Sequence, residues 1–167
     1  MADNVPLTLA GLRRIKDEMR NLETVERLKV SRDIEVARAH GDLKENAEYH
    51  AAKEKQGLME ARIRFLSDAI ARSEVIDVSK FKGTTRVVFG ATVKLNDLES
   101  GKEVTYRIVG ELESDVKKRW ISINSPVARS LIGKSVGDEV TVQSPGGARE
   151  FEVIAVDFED DPEVTPP

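Results

Sequence analysis

The chain has no cysteine in its 167 residues, which excludes disulfides, thiolate-bound zinc and cysteine nucleophiles. Aromatic residues are also scarce: one Trp, two Tyr and five Phe offer few surfaces for stacking single-stranded bases. His40 and His50 are its two histidines, and their spacing does not suggest a metal pair. There is no Gly-x-Gly-x-x-Gly or P-loop pattern, and no serine sits in a nucleophile-elbow sequence. No apolar run approaches the roughly 18 residues of a membrane span, and Met1-Ala2-Asp3-Asn4 has an acid where a signal peptide would be basic. A soluble, cytoplasmic protein is therefore expected, and if it promotes chemistry its carboxylates are the instruments.

What is present is charge, arranged unevenly. The net charge of −4 argues against generic duplex binding, which usually needs a basic face. Residues 1–80 balance 15 basic with 15 acidic side chains, and residues 81–156 carry 11 and 10. The deficit comes from Asp157, Glu159, Asp160, Asp161 and Glu163. With Pro162, Pro166 and Pro167 beside them, residues 159–167 read as an acidic, proline-rich tail.

Two helical patterns converge on residues 37–54. Thr8 is a plausible N-cap, and Leu12, Ile15, Met19 and Leu22 follow at helical spacing. Val30, Ile34 and Ala37 continue the stripe, but Val25 and Leu28 fall off the repeat, which predicts a local skip or bend. Ala52, Gln56, Met59, Ile63, Leu66 and Ile70 form a heptad seam, with Gln56 as its polar member. Neither stripe is stable exposed, so the two helices pair as an antiparallel coiled coil about 40 Å long at 1.5 Å per residue. Gly41 allows the reversal. Asp42 and Glu45 have capping-box spacing, so Asp42 is expected to cap the second helix. These acids occupy the far end of an arm, where a capping role and a metal role are both open.

Beyond Ser73–Thr85 the pattern changes from helix to strand. Val75–Val78 reads as a linker or short edge strand, and strands are predicted at Thr92–Leu95, Val104–Val109, Trp120–Ile123, Glu139–Val142 and Phe151–Val156. One short helix interrupts them, with Ser125 as its N-cap, Pro126 in its first turn and Gly133 closing it. The expectation is an α+β chain in three parts: a coiled-coil hairpin over 1–78 with its acidic tip at 41–46, an antiparallel sheet with one short helix over 79–158, and the tail.

Two stretches resemble a known family. Ala-Arg-Ala-His-Gly-Asp-Leu-Lys-Glu-Asn-Ala-Glu-Tyr at 37–49 and Ile-Ser-Ile-Asn-Ser-Pro-Val-Ala-Arg-Ser-Leu-Ile-Gly-Lys at 121–134 are similar to the two signatures of the bacterial GreA/GreB transcript cleavage factors. The Ala51-Ala52-Lys53 run favours the GreA branch. The resemblance covers roughly Leu7 to Phe158 and implies an FKBP-like fold for the second domain. It also implies a partner, RNA polymerase, whose secondary channel admits the coiled coil. By motif position Asp42 would help to ligate a magnesium ion shared with polymerase, and Glu45 would help to hold it and to orient or deprotonate the attacking water. The nascent RNA 3′ end is then cleaved by the polymerase, so the chain is not an enzyme by itself. Arg38 and Lys53 match the family's basic patch toward RNA, although solvated helix charges would look the same. Ser125, Pro126 and Arg129 match its polymerase-docking loop. A monomer is expected. Lys44 adds a positive charge between the acids, competing for them or reaching an RNA phosphate.

A Gre-fold channel binder without cleavage stimulation is the alternative. A prolyl isomerase of FKBP-like shape is disfavoured, because fold does not carry function and Tyr106, Trp120, Phe89, Phe151 and Phe158 are few enough to be needed in the core.

Overall fold

The computed structural model describes residues 3–41 and 46–159. Two units emerge, residues 13–72 and residues 3–12 with the chain from Ser73 onward. The boundary drawn from sequence at 78/79 thus falls inside the second unit. The reason is a strand the sequence reading missed. Val5–Thr8 (β1) pairs in parallel with Ser73–Ile76 (β2), Leu7 opposite Val75 and Thr8 opposite Ile76. The stretch read as a linker or edge strand is therefore a strand, and its partner comes from the chain's first residues.

The unit of residues 13–72 holds the long helices. Helix α1 (Leu9–Asn21) runs into a π-helical turn (Leu22–Glu26), then α2 (Arg27–Ala39); α3 (Ala47–Ala71) returns. The π turn is the predicted skip. Met19, Leu22, Val30 and Ile34 pack on one cluster with Met59 and Ile63, although Leu22 and Val30 are one residue too far apart for a continuous α-helical stripe. A wider turn absorbs the extra residue and restores the register, leaving Val25 and Leu28 exposed. On α3, Ala52, Met59, Ile63 and Leu66 of the predicted seam are buried, Ile70 and Gln56 half-buried. Bidentate pairs Arg27–Glu60 and Arg62–Glu18 cross between the helices at 2.8–3.2 Å. These pairs raise both guanidiniums above their usual range, and Arg27 lowers the Glu60 carboxyl by hydrogen bonding.

In the other unit, strands β3 (Thr92–Asp97), β4 (Glu103–Val109), β5 (Trp120–Ser122), β6 (Glu139–Ser144) and β7 (Gly147–Asp157) form one sheet in the order β5-β4-β3-β7-β6. It is antiparallel except at its edge, where β5 lies parallel to β4. That pair corrects the expectation of a wholly antiparallel sheet. Helix α4 (Pro126–Leu131) buries Ala128 and Leu131 in a core with Val87, Val93, Leu95, Ile108, Val140 and Val153. The α+β class follows, with a helical hairpin in one unit and a mixed sheet in the other.

Candidate functional site: the hairpin tip and the α4 face

The described residues frame the tip from both sides. Helix α2 ends at Ala39, and Gly41 has φ 132°, a conformation that L side chains rarely adopt. Helix α3 starts at Ala47, and its N-cap is Asn46, whose side-chain oxygen accepts from the Tyr49 N–H at 3.0 Å. This corrects the assignment of Asp42 as cap. Asn is as good a cap as Asp, and here it has a second use: the Asn46 amide donates to the Ala37 carbonyl, which also accepts from the His40 N–H at the end of α2. One side chain ties the end of one helix to the start of the next. Asp42 and Glu45, and Lys44 between them, lie outside the described residues. Asp42 and Glu45 precede Asn46, so the first turn of α3 uses neither of them as cap.

Arg38 sits in the last turn of α2, where a cation favours the helix dipole, and is exposed. Lys53 is exposed on the second turn of α3 and donates to Gln56 at 3.1 Å. Neither forms an ion pair among the described residues. His50 is exposed and meets Tyr49 edge-on at 5.7 Å. No group of three or more potential metal-binding side chains occurs among the described residues.

The predicted docking residues stand together in the other unit. Ser125 caps α4, accepting from the Ala128 N–H at 3.2 Å, and Pro126 takes the first helical position. Pro126 and Arg129 are exposed. Beside them runs an open groove of about 550 Å³ lined by Tyr106, Val116, Trp120, Ile121 and Ser125. Val116 is 93% exposed at the head of a tight turn closed by paired Asp115 and Trp120 backbones. The Trp120 ring carries Arg107 at 5.0 Å and Lys118 at 4.7 Å. Nothing in the sequence patterns marked this groove, because Val116 precedes β5 in a turn.

Comparison with known proteins assigns the family. The model described as "Transcription elongation factor, N-terminal" matches residues 5–75, and the GreA/GreB C-terminal model matches residues 82–158. The chain belongs to the GreA/GreB family of transcription elongation factors. It is 61% identical over 154 residues to the transcription elongation factor GreA of Anaeromyxobacter sp. (strain K), covering 92% of each chain. Against the GreA of Xylella fastidiosa (strain 9a5c) it is 52% identical, over 92% of this chain and 97% of that one. Among solved structures, GreA factor homolog 1 of Thermus thermophilus is similar at 28% identity, over 92% of this chain and 98% of the other, with a TM-score of 0.41. The two matches leave residues 76–81 between them.

Proposed function

We propose that this Gre-family protein docks on RNA polymerase through its sheet unit, inserts its helical hairpin into the secondary channel, and stimulates cleavage of the nascent RNA 3′ end in backtracked complexes. The observation that carries this reading is that Asn46, not Asp42, caps α3. The first helical turn therefore makes no demand on Asp42 or Glu45 at either capping-box position.

The donor set fits magnesium. Two carboxylates are hard oxygen donors, and that ion keeps several waters, so such a pair holds it only where a partner's oxygens complete the shell. Asp42 and Glu45 would hold the ion at the tip, in a site shared with polymerase. When bound, it supplies charge stabilisation to the attacking and leaving oxygens of phosphodiester hydrolysis. Glu45 is in addition suited to orient the attacking water or take its proton. Arg38 and Lys53, exposed on the two sides of the tip, favour the approach of RNA phosphates. Ser125, Pro126 and Arg129 present the docking face. The chain carries no nuclease of its own in this account; it completes one.

The test is a stalled, backtracked elongation complex with end-labelled RNA, given purified protein and magnesium. Short 3′ fragments are the expected result. Polymerase occupancy without fragments would leave the protein a channel-binding regulator, the outcome in which Lys44 neutralises the acids beside it.

A further inference from the structure

Four cations stand around the groove beside α4, and none of them meets a carboxylate among the described residues. Lys117, Lys118 and Arg119 follow one another in the turn before β5, Arg129 lies one helical turn beyond Ser125, and all four are exposed. Elsewhere, Arg27, Arg62, Arg72, Lys94 and Arg149 each meet a carboxylate within 3.2 Å. The acids nearest the turn in sequence are engaged locally: Asp115 accepts from the Lys117 N–H at 2.9 Å, and Glu113 from the Thr8 and Gly110 N–H groups at 3.1 and 3.0 Å. Among the described residues no acid lines the groove, whose walls are mainly Val104, Tyr106, Val116, Trp120 and Ile121.

The turn holds its shape at a cost. Asp115 and Trp120 exchange backbone hydrogen bonds at 2.9 and 3.0 Å, the Arg119 N–H donates to the Val116 carbonyl at 3.2 Å, and Arg119 has φ 57°. A left-handed backbone at a non-glycine residue costs free energy, and such residues cluster at ligand clamps and active sites. The same turn leaves Val116 93% exposed. A lone exposed valine needs no explanation, but this one is continuous with the apolar walls of the groove. Strand addition is not the fit, although β5 is an edge strand. The Trp120 backbone is already paired with Asp115, and the Ser122 carbonyl accepts from the Ser125 N–H at 2.9 Å.

We propose that the groove receives a bulky apolar side chain from an acidic segment of polymerase, with the flanking carboxylates of that segment on Lys117, Arg119 and Arg129. The apolar anchor packs against Val116, Tyr106 and Trp120, and the cations select the segment by charge. This rests on the docking reading above and adds to it the chemistry of the partner.

Two measurements on the full chain test it. In the first, amide shifts are followed by NMR as short peptides are added: one with a central Leu-Phe pair flanked by Glu, one with the same pair flanked by Lys, and one with Glu flanks and Ser in place of the pair. Only the first should shift Val116, Arg119 and Ile121. In the second, polymerase binding is titrated at low and high salt. Val116→Asp sets an acid against an acidic partner and should weaken binding about tenfold. Arg119→Gly suits the φ of 57° while removing the cation, so it should weaken binding several-fold at low salt and little at high salt. Both side chains are exposed, so both variants should fold. Wild-type binding by both variants would overturn the proposal. So would equal shifts from the Lys-flanked peptide, or shifts from a single-stranded RNA oligonucleotide and none from the acidic peptide. If the unmodified protein does not bind polymerase, the docking reading fails and the partner is lost with it, while the peptides still decide on the chemistry of the groove.

Discussion

The hairpin and the sheet-bearing unit are stabilised in different ways. In the sheet unit, ten buried side chains from the sheet, α4 and the flanking segments form one cluster. In the hairpin, Val30, Met59 and Ile63 form one buried cluster with Met19, Leu22 and Ile34 half-buried around it, and Ile15, Ala37, Ala52, Leu66 and Ala69 are buried elsewhere along the helices. A thin seam is what two helices alone can make, since each has one face to bury. The hairpin offsets this with length, with ion pairs across the seam and with Asn46 fastening its end. The contrast is between a sheet unit with one continuous core and a hairpin whose burial is spread along a two-helix seam.

Removing the arm is the largest break. Because residues 3–12 belong with the sheet unit, residues 13–72 should be replaced by a short flexible linker that preserves β1. This arm-less chain should bind polymerase, compete with the intact protein and stimulate no cleavage. Binding confined to the isolated hairpin would reverse the assignment.

Core substitutions come next and should separate the units in calorimetry. Leu131→Ala leaves a cavity in the larger core and should cost about 2–5 kcal/mol, weakening docking. Ile63→Ala on the thin seam should cost about 2 kcal/mol, melt the hairpin at lower temperature and leave the sheet unit's transition in place. A single shared transition in both variants would contradict the comparison.

The cap at the tip is a smaller effect. Asn46→Ala loses both the cap and the tie to Ala37 and should cost the hairpin about 1–2 kcal/mol. Asn46→Asp keeps a capping oxygen but cannot donate to the Ala37 carbonyl, so it should fall between wild type and Asn46→Ala in thermal unfolding.

Acid and salt make the finest distinction. The N–H groups of Ser100 and Glu99, helped by Arg149, hold the Asp97 carboxyl below its ordinary value. The unfolded chain then takes up the proton first, so the stabilisation is complete above an ordinary Asp pKa of about 4 and is lost as pH falls toward the lower folded value. Asp97→Asn should flatten that acid limb for the sheet unit only. The Glu60 carboxyl is also lowered, by Arg27, and its acid dependence has the same sign. Being an exposed pair, it should fade in high salt, while the backbone-held Asp97 should not.

Much of this was legible in the chain. The α3 seam is a regular heptad pattern, and four of its six predicted members are buried. The five strands and the Ser125-Pro126 helix start announced themselves by period and cap chemistry. What was missed depends on distant partners. Strand β1 is four residues long and includes Pro6, and its partner lies beyond the whole hairpin, so no local period marks it. The parallel β4–β5 pairing is likewise a matter of topology. At the tip, Asp42 and Asn46 are equally good caps by residue type, and only the tie from Asn46 to Ala37, nine positions back, separates them. No local period sets Glu113 apart from the chain's other acids; its donors Thr8 and Gly110 do.

The central claim is that the tip acids serve chemistry and not the fold, and Asp42→Asn tests it most directly. Thermal unfolding and RNA fragment yield should be measured on the same preparation, with polymerase occupancy matched to wild type. Since Asn46 caps α3, the account predicts unfolding within a few tenths of a kcal/mol of wild type, as the amide would also do in a cap. It predicts a fragment yield lower by on the order of a hundredfold, because the charge that helps to hold magnesium is gone. Wild-type fragment yield from Asp42→Asn, with the same yield from Glu45→Gln, would contradict it.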